Sequence, residues 1–246
     1  MNSAKLLLKP PASRGLNAFQ LKTLACFFML LDHIGVLLVT EDPWYTLLRV
    51  LGRLAFPIFA YMLANGFRHT GSRSKYLLRL AVFALAVQVV YEMSLGSDML
   101  NIFVTLSLGL LAIWGYEELT RLPVTAEAAW QKWLFRLAGC LWVLALAYLG
   151  KRLNVDYWGY GVLLIFTAHL CYDRPALLAL VWLALTATVC FFTPMSDLQL
   201  WAVAAVALLA CYNHRPGPRG FWPKWGFYLF YCLHLPLLYG LSLLLG

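Results

Sequence analysis

Long apolar runs separated by short polar stretches dominate the chain, and nine windows stand out: 21–39, 46–67, 76–93, 100–119, 133–149, 157–172, 176–192, 198–212 and 225–245. Those at 157–172 and 198–212 are short for a hydrocarbon layer, and the others match it. Lipid offers backbone N–H and C=O groups no partner, and none of the runs alternates with the period of two that a membrane barrel needs. Each window therefore predicts a transmembrane α-helix. Turn-forming stretches such as Glu41-Asp42-Pro43, Leu95-Gly96-Ser97-Asp98 and Thr193-Pro194-Met195 predict antiparallel neighbours. With no internal repeat and no Ser/Gly/Pro-rich linker, the expectation is an all-α, polytopic integral membrane bundle forming one domain over 1–246.

Composition agrees: 62% of residues are hydrophobic against 12% charged, which excludes an ordinary soluble domain. The formal charge of +8 does not indicate nucleic acid, because the cations sit in short loops and form no stripe or basic motif. The six cysteines (Cys26, Cys140, Cys171, Cys190, Cys211, Cys232) all lie in apolar stretches without metal-ligand spacing, so no metal site is expected. The first window follows a basic leader but is too long for a signal h-region, and Thr40-Glu41-Asp42-Pro43 offers no small-residue cleavage site. It is read as a retained first helix.

Charge in the loops sets the orientation. One side carries fifteen of the nineteen Lys and Arg residues: Lys5, Lys9, Arg14 and Lys22; Arg68, Arg73, Lys75 and Arg79; Arg121, Lys132 and Arg136; Arg174; and Arg215, Arg219 and Lys224. The other side carries Lys151 and Arg152, while Arg49 and Arg53 fall inside the second window. The positive-inside rule then places the N-terminus in the cytoplasm and, with nine spans, the C-terminus outside.

A charge inside the hydrocarbon is costly unless paired or wet, so function is sought first at the few ionisable residues within spans. The first window holds Asp32 and His33, roughly 16–18 Å from its cytoplasmic edge at 1.5 Å per residue. The second holds Arg49 and Arg53, four residues apart on one helix face, with Arg53 at roughly 10 Å depth from the outer end. Both sets meet in the outer half. Asp32 and His33 point about 100° apart, which predicts that Asp32 pairs with an arginine while His33 faces a cavity. A structural ion pair alone would need no third and fourth member, so four ionisable groups at one depth favour a functional site. Gln88 and His234 lie at depths from which they can join it, or can form interhelical hydrogen bonds. The stretch from Arg68 and His69 through Arg73, Lys75 and Arg79 reads first as positive-inside signal and anionic-lipid contact, and second as a phosphate site for a nucleotide-like donor. The outer loop with Lys151, Arg152, Asn154 and Asp156 is a second polar surface.

Leu21-Lys22, Asp32-His33-Ile34-Gly35, Leu48-Arg49 and Gly52-Arg53-Leu54-Ala55-Phe56-Pro57-Ile58-Phe59 together resemble the TraX family. The resemblance continues through Gly66-Phe67-Arg68-His69-Thr70, Tyr76 with Arg79-Leu80, Asn101 with Thr105, Asp156-Tyr157, and Phe227-Tyr228-Leu229-Phe230-Tyr231 before His234-Leu235. Two positions depart from the family pattern: Trp158 stands where glycine is expected and Cys232 where proline is frequent. The resemblance implies a bacterial inner-membrane acetyltransferase related to membrane acyltransferases, with acetyl-CoA as cytoplasmic donor substrate and a pilin amine, or a glycan hydroxyl or amine, as acceptor. In that reading His33 is general base, or carries the acetyl group as a covalent intermediate, Arg53 and Arg49 stabilise an oxyanion, and Asp32 holds an arginine or the imidazole. Arg68, His69, Arg73, Lys75 and Arg79 would meet the donor, and Gln88, Asn101, Asp156, Tyr157 and His234 the acceptor. The competing classes are a proton-coupled transporter, disfavoured by the lack of an inverted repeat, and a structural membrane subunit.

Overall fold

A computed structural model describes residues 15–96, 98–123, 130–193, 195–218 and 220–245. Its ten α-helices are α1 (Ala18–Leu38), α2 (Trp44–Gly52), α3 (Ala55–His69), α4 (Arg73–Leu95), α5 (Ile102–Thr120), α6 (Gln131–Arg152), α7 (Trp158–Leu170), α8 (Pro175–Phe192), α9 (Ala205–Ala210) and α10 (Phe221–Leu245). A 3-10 segment, Asp197–Ala204, leads directly into α9. Among the described residues the extended contacts are isolated bridges only. Lys5, Lys9, Arg14 and Arg219, and parts of the turns at Ser97 and Pro194, lie outside the described residues.

The protein is a multi-pass helical membrane protein. Among the described residues, seven helical stretches of 18 to 26 residues are long and apolar enough to cross a bilayer, and Trp158–Leu170 and Asp197–Ala210 are shorter apolar ones, so all nine windows carry helix. Large apolar side chains such as Leu85, Phe191 and Leu244 are 80% or more exposed, an arrangement that only a lipid solvent favours.

Two windows differ from the expected single α-helix. The second is interrupted after Gly52: α2 is capped by the next residue, Arg53, whose N–H reaches Arg49 O and Val50 O, and α3 begins at Ala55. Pro57 then falls in the first turn of α3, where a missing N–H costs no helical hydrogen bond. The eighth begins as 3-10, with the Ser196 side chain capping Leu198 N. At about 2 Å rise per 3-10 residue, Asp197–Ala210 extends about 25 Å, further than the same residues would as α-helix.

The chain divides into two compact units, 1–62 with 173–246, and 63–172, the boundary falling within α3. In the first, α1 packs on both α2 and α10, and α8 on the 3-10 segment and α9. The start of α1 carries a reciprocal cap between Asn17 and Gln20 and is tied to the end of α9 by Leu16 N to Cys211 O, 2.8 Å, and Asn213 N to Leu16 O, 2.9 Å. In the second, α4, α5, α6 and α7 pack successively. Most of α7 is buried, including Tyr160, Val162, Leu164, Ile165 and Phe166, so it does not need the length of a lipid-exposed span.

Candidate active site

The first unit's polar centre grows out of the α1–α2 contact. Gly35 and Gly52 sit where the helices touch: a Cβ on Gly35 would lie 3.1 Å from Leu48 Cβ, and one on Gly52 would overlap the Asp32 side chain. Small residues at both positions let Asp32 reach α2 at close range. Its Oδ2 accepts from Arg49 Nη1 at 2.6 Å and its Oδ1 from Arg53 Nη2 at 2.5 Å. The carboxylate and the Arg53 side chain are each 14% exposed. Arg53 also donates Nε–H to Arg49 O (3.3 Å) and Nη1–H to Gln199 Oε1 (3.3 Å). Two guanidiniums against one carboxylate leave the cluster with a net positive charge, held in a low-dielectric setting where its field is strong.

His33, the next residue, points away to α10. Its Nδ1 lies 2.9 Å from His234 Nε2. The roughly 100° between adjacent helical side chains is thus used twice, Asp32 for α2 and His33 for α10. His234 is held by Phe230, stacked at 4.9 Å and 2°, and by Tyr231 edge-on at 5.5 Å. The proton positions follow from the partners. His234 Nδ1 faces the carbonyls of Phe230 (2.9 Å) and Tyr231 (3.1 Å), which only accept, so Nδ1 carries the hydrogen and Nε2 the lone pair. His33 Nδ1–H must then donate to His234 Nε2, and His33 Nε2 keeps the lone pair. A neutral imidazole oriented through its other nitrogen is the arrangement a general base requires.

Gln199, which the sequence reading passed over, completes this centre. It is 2% exposed, and among the described residues its Nε2 has no hydrogen-bond partner. Leaving such a donor unmatched costs about 1–3 kcal/mol. The available signal was a lone amide in the apolar run Leu198-Gln199-Leu200-Trp201, at the very edge of its window.

The remaining predicted residues lie in the second unit. Arg68 donates to His169 O (2.6 Å), with its guanidinium 4.4 Å from the Tyr172 ring. Arg73 pairs with Glu118 at 2.5 Å and stacks on Phe67 at 4.6 Å, and Arg79 lies over Tyr76 at 5.3 Å. His69 Nδ1 is 2.8 Å from Asn65 O, and Lys75 is exposed. Glu117 bridges His169 Nε2 (2.8 Å) and Arg121 (2.5 Å). Gln88 and Asn101 bind one another: Gln88 Oε1 accepts from Asn101 Nδ2 at 2.7 Å and from its backbone N at 2.9 Å, while Asn101 Nδ2 also donates to Ala84 O. Asp156 accepts through its backbone carbonyl from Thr105 Oγ1, at 2.5 Å. Tyr157 and Trp158 have φ of 60° and 47°, a left-handed region costly for tryptophan. Among the described residues no His, Cys, Asp and Glu cluster could hold a metal.

Comparison with known proteins decides the family. The profile described as TraX protein matches residues 18–242. The chain belongs to the TraX family. A related protein, the probable fimbrial assembly protein FimC, serogroup H1, of Dichelobacter nodosus, is 32% identical, with the alignment covering 90% of this chain and 94% of that protein. No solved structure matches. The TraX match spans Asp32, His33, Arg49, Arg53, Gln199 and His234 alike, so the whole polar centre of the first unit belongs to the family domain.

Proposed function

We propose that this protein is a membrane acetyltransferase that moves an acetyl group from acetyl-CoA to an acceptor amine or hydroxyl, with His33 as general base. The observation that carries the reading is the directed hydrogen-bond chain from the Phe230 and Tyr231 carbonyls through His234 to His33, which leaves the His33 Nε2 lone pair for chemistry. The acceptor's lone pair bonds to the thioester carbonyl carbon while His33 Nε2 takes its proton. The carbonyl oxygen becomes an oxyanion, in the field of the net positive Asp32–Arg49–Arg53 cluster. The oxyanion collapses, the C–S bond breaks, and the imidazolium returns the proton to the departing thiolate, giving acetylated acceptor and free coenzyme A.

Within the second unit, the cationic stretch from Arg68 to Arg79 is the candidate for recognising phosphates. Arg68, bound to a carbonyl and a ring, keeps its full charge, whereas Arg73 is neutralised by Glu118. The description of the Dichelobacter relative concerns fimbrial assembly, and the family's association with pilin acetylation points the same way. A pilin N-terminal amine is therefore the first acceptor to test, with a glycan hydroxyl or amine next. The excess of Lys and Arg on alternate loops supports a cytoplasmic N-terminus, and the reading makes the protein an enzyme of the bacterial inner membrane.

The test is acetyl transfer by the purified protein in liposomes, with acetyl-CoA and a pilin N-terminal peptide. His33→Ala is expected to lower turnover by roughly 10²–10⁴-fold, the usual contribution of a positioned base, with donor binding retained. A wild-type protein that binds no acetyl-CoA and transfers no acetyl group would refute the reading.

A further inference from the structure

Resting on the acetyl-transfer reading, we propose that Gln199 is the group that binds the acyl carbonyl oxygen, donating its Nε2–H to the thioester in the ground state and to the oxyanion as it forms. The first support is orientation. Arg53 Nη1 can only donate, so the Gln199 amide must present Oε1 to it and turn its NH2 the other way. The opposite amide orientation would set two donors against each other. The second is need: the NH2 is part of a side chain 2% exposed and lacks a partner among the described residues, so a ligand oxygen would satisfy it.

The third support is electronic. Each of the three Arg53 nitrogens is engaged, with Asp32, Arg49 O and Gln199. The arginine's charge therefore acts on the substrate through the amide it binds. A carboxamide whose oxygen accepts from a guanidinium is polarised, and its N–H groups become stronger donors. Finally, placement is compatible: Gln199 is joined through Arg53 to Asp32, whose chain neighbour is His33, and all four lie in the first unit. The 3-10 conformation of Asp197–Ala204, uncommon at this length, is what delivers the side chain there, with Gln199 N bonded to Ser196 O at 2.9 Å.

The experiment compares binding of two uncleavable donor analogues, S-acetonyl-coenzyme A, which keeps a carbonyl, and S-propyl-coenzyme A, which lacks it, to wild type and Gln199→Leu in liposomes. Wild type is expected to prefer the ketone by roughly tenfold, the worth of one hydrogen bond, and Gln199→Leu to bind both alike. In parallel, kcat for acetyl transfer should fall by about 10²–10³-fold in Gln199→Leu, as when an oxyanion donor is removed. A ketone preference that is the same in both proteins, with wild type active, overturns the role of Gln199 and leaves the acetyltransferase reading standing. A wild type that binds neither analogue and transfers nothing overturns both. Gln199→Glu guards against misfolding: it preserves size and the oxygen facing Arg53, and should lose the ketone preference as completely as the leucine variant.

Discussion

At the scale of single residues, the pair His33–His234 shows how position fixes the tautomer of an ordinary imidazole. Alone in a helix, His33 has two equivalent choices of tautomer. Against His234, whose Nδ1–H is committed to the Phe230 and Tyr231 carbonyls, it has one. His234→Ala removes the acceptor that holds His33 Nδ1–H and should reduce kcat by about 10²–10⁴-fold, as loss of an orienting partner does in other triads, while the protein stays folded. His234→Gln, which can offer an amide oxygen to Nδ1–H, should recover part of that loss. Equal activity in all three proteins in the liposome assay would show that the pair only packs α1 against α10.

At the scale of elements, the break between α2 and α3 and the closeness of α1 to α2 are two sides of one arrangement. Ending α2 at Gly52–Arg53 frees Arg53 to bend back toward Asp32 and Gln199, and the missing Cβ at Gly52 leaves the space Asp32 occupies. Gly52→Ala should therefore lower thermal stability by about 1–3 kcal/mol, the usual cost of overpacking, and reduce acetyl transfer with it. Gly71→Ala is the matched control, since a Cβ there meets nothing within 4 Å. Thermal unfolding in detergent that treats the two substitutions alike would dismiss the close approach as a determinant. The loop between α6 and α7 is another element whose shape departs from its residues' preference: Tyr157 and Trp158 have positive φ, as does Asn154, which tolerates it, and the Trp158 Nε1–H to Asn154 Oδ1 bond at 3.2 Å helps hold that turn.

At the scale of the whole molecule, fifteen of nineteen cationic side chains fall on alternate loops, which predicts nine crossings with the N-terminus in the cytoplasm. In a cysteine-free background, a membrane-impermeant thiol reagent should label Ser74→Cys only from the cytoplasmic side and Asn154→Cys only from the outer side. Labelling of both from one side would contradict the three crossings expected between them, by α4, α5 and α6. Among the described residues, length alone gives seven spans, because Trp158–Leu170 and Asp197–Ala210 are short. The first is short because it is buried among protein, and the second recovers length by beginning as 3-10 helix.

What the sequence by itself determined is what depends on hydrophobicity and local chemistry. The nine apolar windows, their helical nature and the convergence of Asp32, Arg49 and Arg53 were legible because a bilayer penalises every unpaired charge and open backbone group in the same way. Tertiary structure alone decided which partners close the site. His234 and Gln88 looked alike as polar residues in apolar spans, yet the fold carries His234 to His33 and commits Gln88 to Asn101. Gln199 was illegible because its importance lies in a 3-10 register and in a bond to Arg53, 146 residues away. Periodicity reports which face a residue lies on, but partner choice between distant segments is set by packing, where a missing Cβ or a helix break of two residues decides what can touch.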